Sequence, residues 1–341
     1  MKELAYYYPQ GHEAHFESGH PERPARVEAI RKTLQDEGLW DPYLQLDPIS
    51  LPEEVLANVH APAYLSYLKR ASQYGQNLDG DTYTTPASWE LAKKAAGGAC
   101  AVASAVWKGQ VRHGVALTRP PGHHVTHNQG MGFCLLNNIA LAAEYLIGQE
   151  GVRNLAIVDL DVHHGNGTQD IFYLREDVLF ISLHQWPLYP GTGRIEEQGE
   201  GIGAGTTVNI PLPPYTGDQG YLAAMDEVAI PLLEKYDPQM VLVSVGFDTH
   251  WRDPLASQLL SALAYAEMVS SLTQFTHSRC ESKIALFLEG GYDLEAGGAC
   301  LAGCVSALLN REWSDPIGPS PHPESNTWIS VVQKVRSTWG L

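Results

Sequence analysis

Four apolar runs, each the length of one β-strand, constrain this chain more than any other feature. Gly114 to Thr118, Leu155 to Leu160, Met240 to Gly246 and Ile284 to Glu289 lack the apolar–polar alternation of a strand with one wet face. A strand that is apolar on both faces must be covered on both faces, as in parallel sheets. Pro24 to Leu34, Ala87 to Trp107, Asn138 to Leu146, Gly220 to Leu233 and Leu259 to Phe275 have helical spacing instead. Strands alternating with helices predict an α/β fold, a mostly parallel sheet flanked by helices on both faces. With no linker, repeat or low-complexity block, and 44% hydrophobic residues in 341, residues 1–341 are expected to form a single domain.

Each run ends in residues that can do chemistry. After Leu155 to Leu160 comes Asp161-Val162-His163, where alternate side chains can close a carboxylate and an imidazole on one metal ion. After Gly114 to Thr118 comes Arg119-Pro-Pro-Gly-His123-His124, after Met240 to Gly246 comes Asp248, and after Ile284 to Glu289 come Gly290, Gly291 and Tyr292. Sites of α/β sheets form beyond the carboxyl ends of the strands, so one active site spread along the sequence would look like this. Oxygen and nitrogen donors with a position left open suit Zn²⁺ doing hydrolysis.

Other features exclude alternatives. His12-Glu-Ala-His15 is one residue too short for two histidines to share a helix face, and Gly201 to Gly205 lacks the strand and helix of a nucleotide loop. Ser244 lacks the flanking glycines of a nucleophile elbow, and Tyr6-Tyr7-Tyr8 is expected to pack rather than to stack ligands. The net charge of −17 argues against nucleic acid and is compatible with cationic substrates. Five scattered cysteines without a Cys-x-x-Cys pair fit reduced, buried thiols. No signal peptide or membrane span is expected, which points to a soluble cytoplasmic protein without a membrane partner.

Taken together, the motifs resemble those of zinc-dependent histone deacetylases, the superfamily of bacterial histone-deacetylase-like and acetylpolyamine amidohydrolases on an arginase-like fold. The similarity covers most of the chain: His20-Pro-Glu-Arg-Pro-Ala-Arg26, Arg119 to His124, Gly132-Phe-Cys134 with Asn137-Asn138, and Asp159 to Gly167. Ser182-Leu-His184, Pro190 to Gly193, Gly246-Phe-Asp248 and Glu289-Gly-Gly-Tyr292 continue it. The resemblance implies one Zn²⁺ held by Asp161, His163 and Asp248. It makes His123 and His124 a tandem pair, with His124 the general base and acid, His123 partnered by Asp159 and His124 by Asn166. Tyr292 becomes the donor to the substrate carbonyl. Phe133 and Tyr189 become walls of a narrow channel, Gly132 and Gly291 its backbone neighbours, and Asp81 a carboxylate at its rim. A structural K⁺ or Na⁺ would involve Asp159, Asp161, His163, Ser182 and Leu183. Asn166, where some branches carry Asp, is similar to the class II-type branch.

The implied reaction is hydrolysis of an acetyl or longer acyl group from the ε-amine of lysine in a peptide or protein, releasing acetate when the group is acetyl. An acetylated polyamine is the alternative substrate, and a homo-oligomer is compatible with either. An arginase-like two-metal ureohydrolase is disfavoured, since His164-Gly165 and His250 stand where further carboxylates are needed. A non-catalytic binder of acylated amines would carry a damaged ligand set or lack the tyrosine.

Overall fold

The computed structural model describes residues 2–341. Its eight strands are β1 (Lys2–Tyr7), β2 (Leu44–Leu46), β3 (Val111–Ala116), β4 (Leu155–Asp159), β5 (Val178–Gln185), β6 (Thr207–Leu212), β7 (Met240–Val245) and β8 (Ile284–Leu288). They form one sheet in the order β2-β1-β3-β8-β7-β4-β5-β6, and every pairing is parallel. The sheet is thus parallel throughout rather than mostly so. The four apolar runs are its four central strands, where both faces are covered and continuous apolarity is required.

Alternate residues feed two separate cores. In β4, Ala156 and Val158 enter one cluster, while Leu155 and Ile157 enter the other. β8 does the same, with Ile284, Leu286 and Leu288 on one side and Ala285 and Phe287 on the other. Helix Ser88–Trp107 and helix Asn138–Glu150 cover one face. Helices Ala25–Asp36, Ala262–Arg279 and Leu294–Leu308 cover the other. All five cysteines are buried and free. Among the described residues, no helix is long and apolar enough to cross a membrane.

The strands without a clear sequence signal lie at the sheet's sides. β1 begins with exposed Lys2 and Glu3 before Tyr6 and Tyr7 enter the cores. β6 forms an edge and contains Pro211, which an edge tolerates because one row of its N–H groups has no partner strand. The helical spacing from Gly220 to Leu233 is realised as Asp218–Ala224 and Ile230–Tyr236, joined by a wider turn over Met225–Ala229. Pro231 lacks the N–H that a regular turn would use there, and a wider turn accommodates it.

A buried ion cluster fastens the N-terminal segment to the strand ends. Arg119, fully buried just beyond β3, donates to Glu22 over 2.7 and 3.0 Å. It also donates to the carbonyls of His12 and His15, each at 2.6 Å. The rings of those two histidines point to different partners, His12 Nε2 lying 3.0 Å from the Tyr8 hydroxyl and His15 Nδ1 2.6 Å from the Ser88 hydroxyl. Arg26 donates to Glu22 and reaches the carbonyls of Gly291 and Glu289, both at 2.6 Å. Burial alone would raise the Glu22 pKa, but the guanidiniums of Arg119 and Arg26 outweigh it and hold it down to about 2.

Because the Glu22 pKa is depressed from 4.5 to about 2 in the fold, its contribution to stability is complete above about 4.5 and is lost as pH falls toward 2. Glu22→Gln, which leaves two guanidiniums short of a counter-charge, should lose about 3–5 kcal/mol at pH 7. The gap between wild type and variant should narrow at pH 3, as urea unfolding at the two pH values would measure.

Candidate active site

The chemistry-bearing residues follow β3, β8, β7 and β4, four consecutive neighbours in the sheet. Parallel strands put all four carboxyl ends on one edge, so residues up to about 170 positions apart in sequence meet there. Asp248, at the end of β7, is fully buried, as is Asp161 beyond β4. His163 Nδ1 lies 3.2 Å from Asp161 Oδ1 and 3.1 Å from Asp248 Oδ2. One ring nitrogen cannot donate a proton to both carboxylates at once. The three ligand atoms lie within 4.8 Å of one another. Donors about 2.0–2.1 Å from a tetrahedral Zn²⁺ stand about 3.3 Å apart, close to the two distances observed. Two buried carboxylates and a nitrogen therefore fit a divalent cation, which would relieve their mutual repulsion.

Backbone donors orient these ligands. Val162 N–H donates to Asp248 Oδ1 at 3.0 Å, His163 N–H to Asp161 Oδ1 at 2.9 Å, and Gly290 N–H to Asp161 Oδ2 at 2.8 Å. Two other clusters of metal-type side chains fit less well. His12 stands with two exposed glutamates, whereas His123, Cys134 and Glu289 are all buried. In the latter cluster, burial holds the Cys134 thiol protonated and His123 is engaged by Asp159.

His123 and His124 lie side by side with ring centroids 4.0 Å apart and planes tilted by 42°, yet their partners differ in charge. His123 Nδ1 is 3.0 Å from Asp159 Oδ2, and His124 Nδ1 is 2.7 Å from Asn166 Oδ1. Burial opposes a charge on His123, but the carboxylates of Asp161 and Asp159 prevail and push its pKa up to about 10. A cation on Asp161 would weaken that pull and leave Asp159 as the principal counter-charge. Burial and the neighbouring His123 and His163 drive the His124 pKa well down. Since the Asn166 oxygen accepts from Nδ1–H, the neutral His124 ring keeps its Nε2 lone pair free.

A cavity of about 230 Å³ leads to this floor. Phe133, Leu188, Tyr189 and Leu255 form its walls, His124 and His163 face it from below, and Asp81 and Tyr292 also line it. Gly132 passes so close that a Cβ there would lie 2.3 Å from the His124 ring. The next residue, Phe133, has a φ of 68° and is tethered by its N–H to Thr82 Oγ1 at 3.1 Å. A left-handed phenylalanine is costly backbone geometry of the kind that collects at functional sites. Tyr292 meets Phe133 edge-on, with centroids 5.8 Å apart. Its N–H donates to Asp253 at 2.6 Å, and the Arg26 guanidinium lies 4.8 Å above its ring. Burial raises the Tyr292 pKa well above the ordinary phenol value, so the hydroxyl stays a donor.

Asp161, His163, Asp248, His123, His124 and Tyr292 thus lie at one strand edge, with Gly291 supplying the carbonyl that Arg26 holds. Ser182 pairs in register with Asp159, which places the residues expected around a monovalent cation on adjacent strands β4 and β5. The roles of Arg26, Asp253 and Glu289 were missed. Arg26 and Glu289 lie inside the motifs His20 to Arg26 and Glu289 to Tyr292, and an acid closing an apolar run is a usable signal for Glu289. Asp253, in a loop after β7, carried none.

The model of the histone deacetylase domain matches residues 20–308. A "Probable deacetylase" of Archaeoglobus fulgidus is 42% identical over 278 residues, covering 81% of this chain and 77% of the relative. A "Histone deacetylase-like amidohydrolase" of Pseudomonas aeruginosa is 38% identical over 277 residues, covering 81% of this chain and 73% of the relative. The crystal structure of the HDA15 HD domain superposes with a TM-score of 0.91 at 33% identity, covering 99% of this chain and 94% of that one. With these matches spanning most of its length, the chain belongs to the histone deacetylase family of hydrolases.

Proposed function

We propose that this protein is a Zn²⁺-dependent deacylase of ε-acylated lysine in peptides or proteins, working as one catalytic domain over residues 1–341. The observation that carries the reading is the convergence of Asp161, His163 and Asp248 at the foot of an apolar channel beside two imidazoles, one paired with a carboxylate and the other with an amide. Zn²⁺ held by those three side chains would polarise an amide carbonyl and make water acidic enough to attack it at neutral pH. His124 Nε2 receives the proton of the attacking water, while Asn166 holds the ring in the tautomer that allows it. Negative charge then develops on the carbonyl oxygen, where the Tyr292 hydroxyl donates. His123, as an imidazolium paired with Asp159, adds positive charge beside the same centre. His124 finally passes its proton to the leaving nitrogen. Amide and water are converted to a carboxylate and a cationic amine, and the catalyst is restored.

The channel supports a single alkyl chain as substrate. Phe133, Leu188, Tyr189 and Leu255 offer apolar contact to the methylenes of lysine. Asp81 is the one carboxylate of the cavity lining away from the metal cradle, placed to accept the N–H of a peptide backbone. Acetylated polyamines are the second reading, favoured by that carboxylate and by the net charge of −17. Asp79 stands beside Asp81 and, after burial, raises its pKa, so a further ammonium would meet two neighbouring acids at the rim, and the rates below decide between the two substrates. K⁺ or Na⁺ beside Asp159 and Ser182 would serve as a structural charge.

Chelation should abolish acetate release and lower the melting temperature, and stoichiometric Zn²⁺ should restore both. Asp248→Ala should reduce bound zinc from about one per chain to nearly none by elemental analysis. Tyr292→Phe should keep the metal yet lose about 10²–10³ in kcat on an acetyl-lysine peptide. Rates measured side by side on acetyl-lysine peptides, longer acyl-lysines and acetylated putrescine decide the substrate class. A kcat/KM higher on the polyamine than on the peptides would reverse the preference stated here.

A further inference from the structure

The carboxylate of Glu289 takes no part in the reaction described above, and among the described residues it has no salt-bridge partner, although its side chain is fully buried at the end of β8. It points across the strand edge into the loop that bears the paired histidines. Its Oε2 accepts the consecutive backbone N–H groups of Gly122, at 2.7 Å, and His123, at 3.1 Å. Its Oε1 lies 3.4 Å from the Ser244 hydroxyl on the adjacent strand β7. One side chain therefore ties together three strand ends.

The opposite side of the loop is fixed by other means. The His123 carbonyl accepts from Gly167 N–H at 3.0 Å and Thr168 N–H at 3.1 Å. Asn138 Nδ2 donates to the Pro120 carbonyl at 3.0 Å. A Cβ on Gly122 would come within 2.5 Å of Asn138 N and 2.6 Å of the Leu136 carbonyl, so the loop is pressed onto the start of helix Asn138–Glu150. The carbonyls are thus anchored to helix ends and to Asn138, whereas the two N–H groups depend on Glu289. Turning either peptide unit would swing the His123 and His124 rings relative to the cradle, since both side chains leave the backbone at that point.

We propose that Glu289 is a positioning residue for the deacylation, fixing the tilt of the His123–His124 backbone and thereby the aim of His124 Nε2. This rests on the function proposed above. What Glu289 supplies is an acceptor for two adjacent N–H groups. A glutamine can supply the same through its carbonyl while its NH₂ group turns to the Ser244 oxygen. Leucine, of similar size, cannot.

The test uses the zinc-loaded 341-residue chain and reads two quantities, the imidazole ¹⁵N resonances of His123 and His124 and the split of kcat from KM on an acetyl-lysine peptide. Glu289→Leu should shift both imidazole signals and lower kcat about 10- to 100-fold, the cost of a misaimed catalytic group. KM and zinc content should hold, because channel and cradle are untouched. Glu289→Gln should restore both quantities to near the parent values. Should Glu289→Leu fail to fold, Glu289→Asp, which draws the acceptor back by one methylene, is read in the same way. A variant without the acceptor that keeps parental imidazole signals or parental kcat per folded molecule overturns the proposal. So does a Glu289→Gln as impaired as Glu289→Leu. If the parent enzyme turns over no acylated amine, the functional reading fails instead, while the imidazole signals still decide whether Glu289 sets the histidines.

Discussion

Asp161 and Asp248 are fully buried with their carboxylates converging on one imidazole nitrogen, and the rest of the site answers to that fact. Burying two like charges side by side is among the most expensive arrangements a fold can contain. Backbone donors from Val162, His163 and Gly290 offset part of the cost and at the same time fix the carboxylates in direction. A divalent cation would offset far more, which makes metal affinity and local stability two expressions of one electrostatic problem. The raised pKa of His123 follows from Asp161 together with Asp159, against burial, and the lowered pKa of His124 follows from burial and then from His123.

The second layer is mechanical. Glu22, Arg26 and Arg119 form a buried charged cluster with no role at the reacting atoms, yet Arg26 ends on the carbonyls of Glu289 and Gly291 and over the ring of Tyr292. The N-terminal segment thereby braces the tyrosine loop. Asp253 does so from the other side through the Tyr292 N–H. A phenol on two successive glycines would otherwise sample many positions, and a donor contributes most to catalysis when it is already aimed.

What could be read from sequence reflects where each kind of information is stored. Asp161, His163, Asp248, His123, His124 and Tyr292 stood out because polar groups at the ends of wholly apolar strands have few other reasons to be there. The central strands were legible because both faces are buried, whereas β1, β2 and β6 carry polar residues suited to the sides of a sheet. β5 is wholly buried but includes Ser182, His184 and Gln185, which blurred its signal. The second layer was not legible, because a buried charge is explained only by its partner. Glu22 lies 97 positions from Arg119, and Arg26 lies 265 from Gly291. No local pattern encodes such a pairing.

The place of β8 also bears on how the molecule is made. It is the last strand in the chain, yet it lies between β3 and β7. Until Ile284–Leu288 emerges from the ribosome, those two strands lack their shared neighbour, and each presents a row of unpaired backbone groups. Without β8, the groups β2-β1-β3 and β7-β4-β5-β6 share no strand pairing. One five-residue strand therefore joins the two parts of the sheet, and the same strand leads into the loop that bears Tyr292.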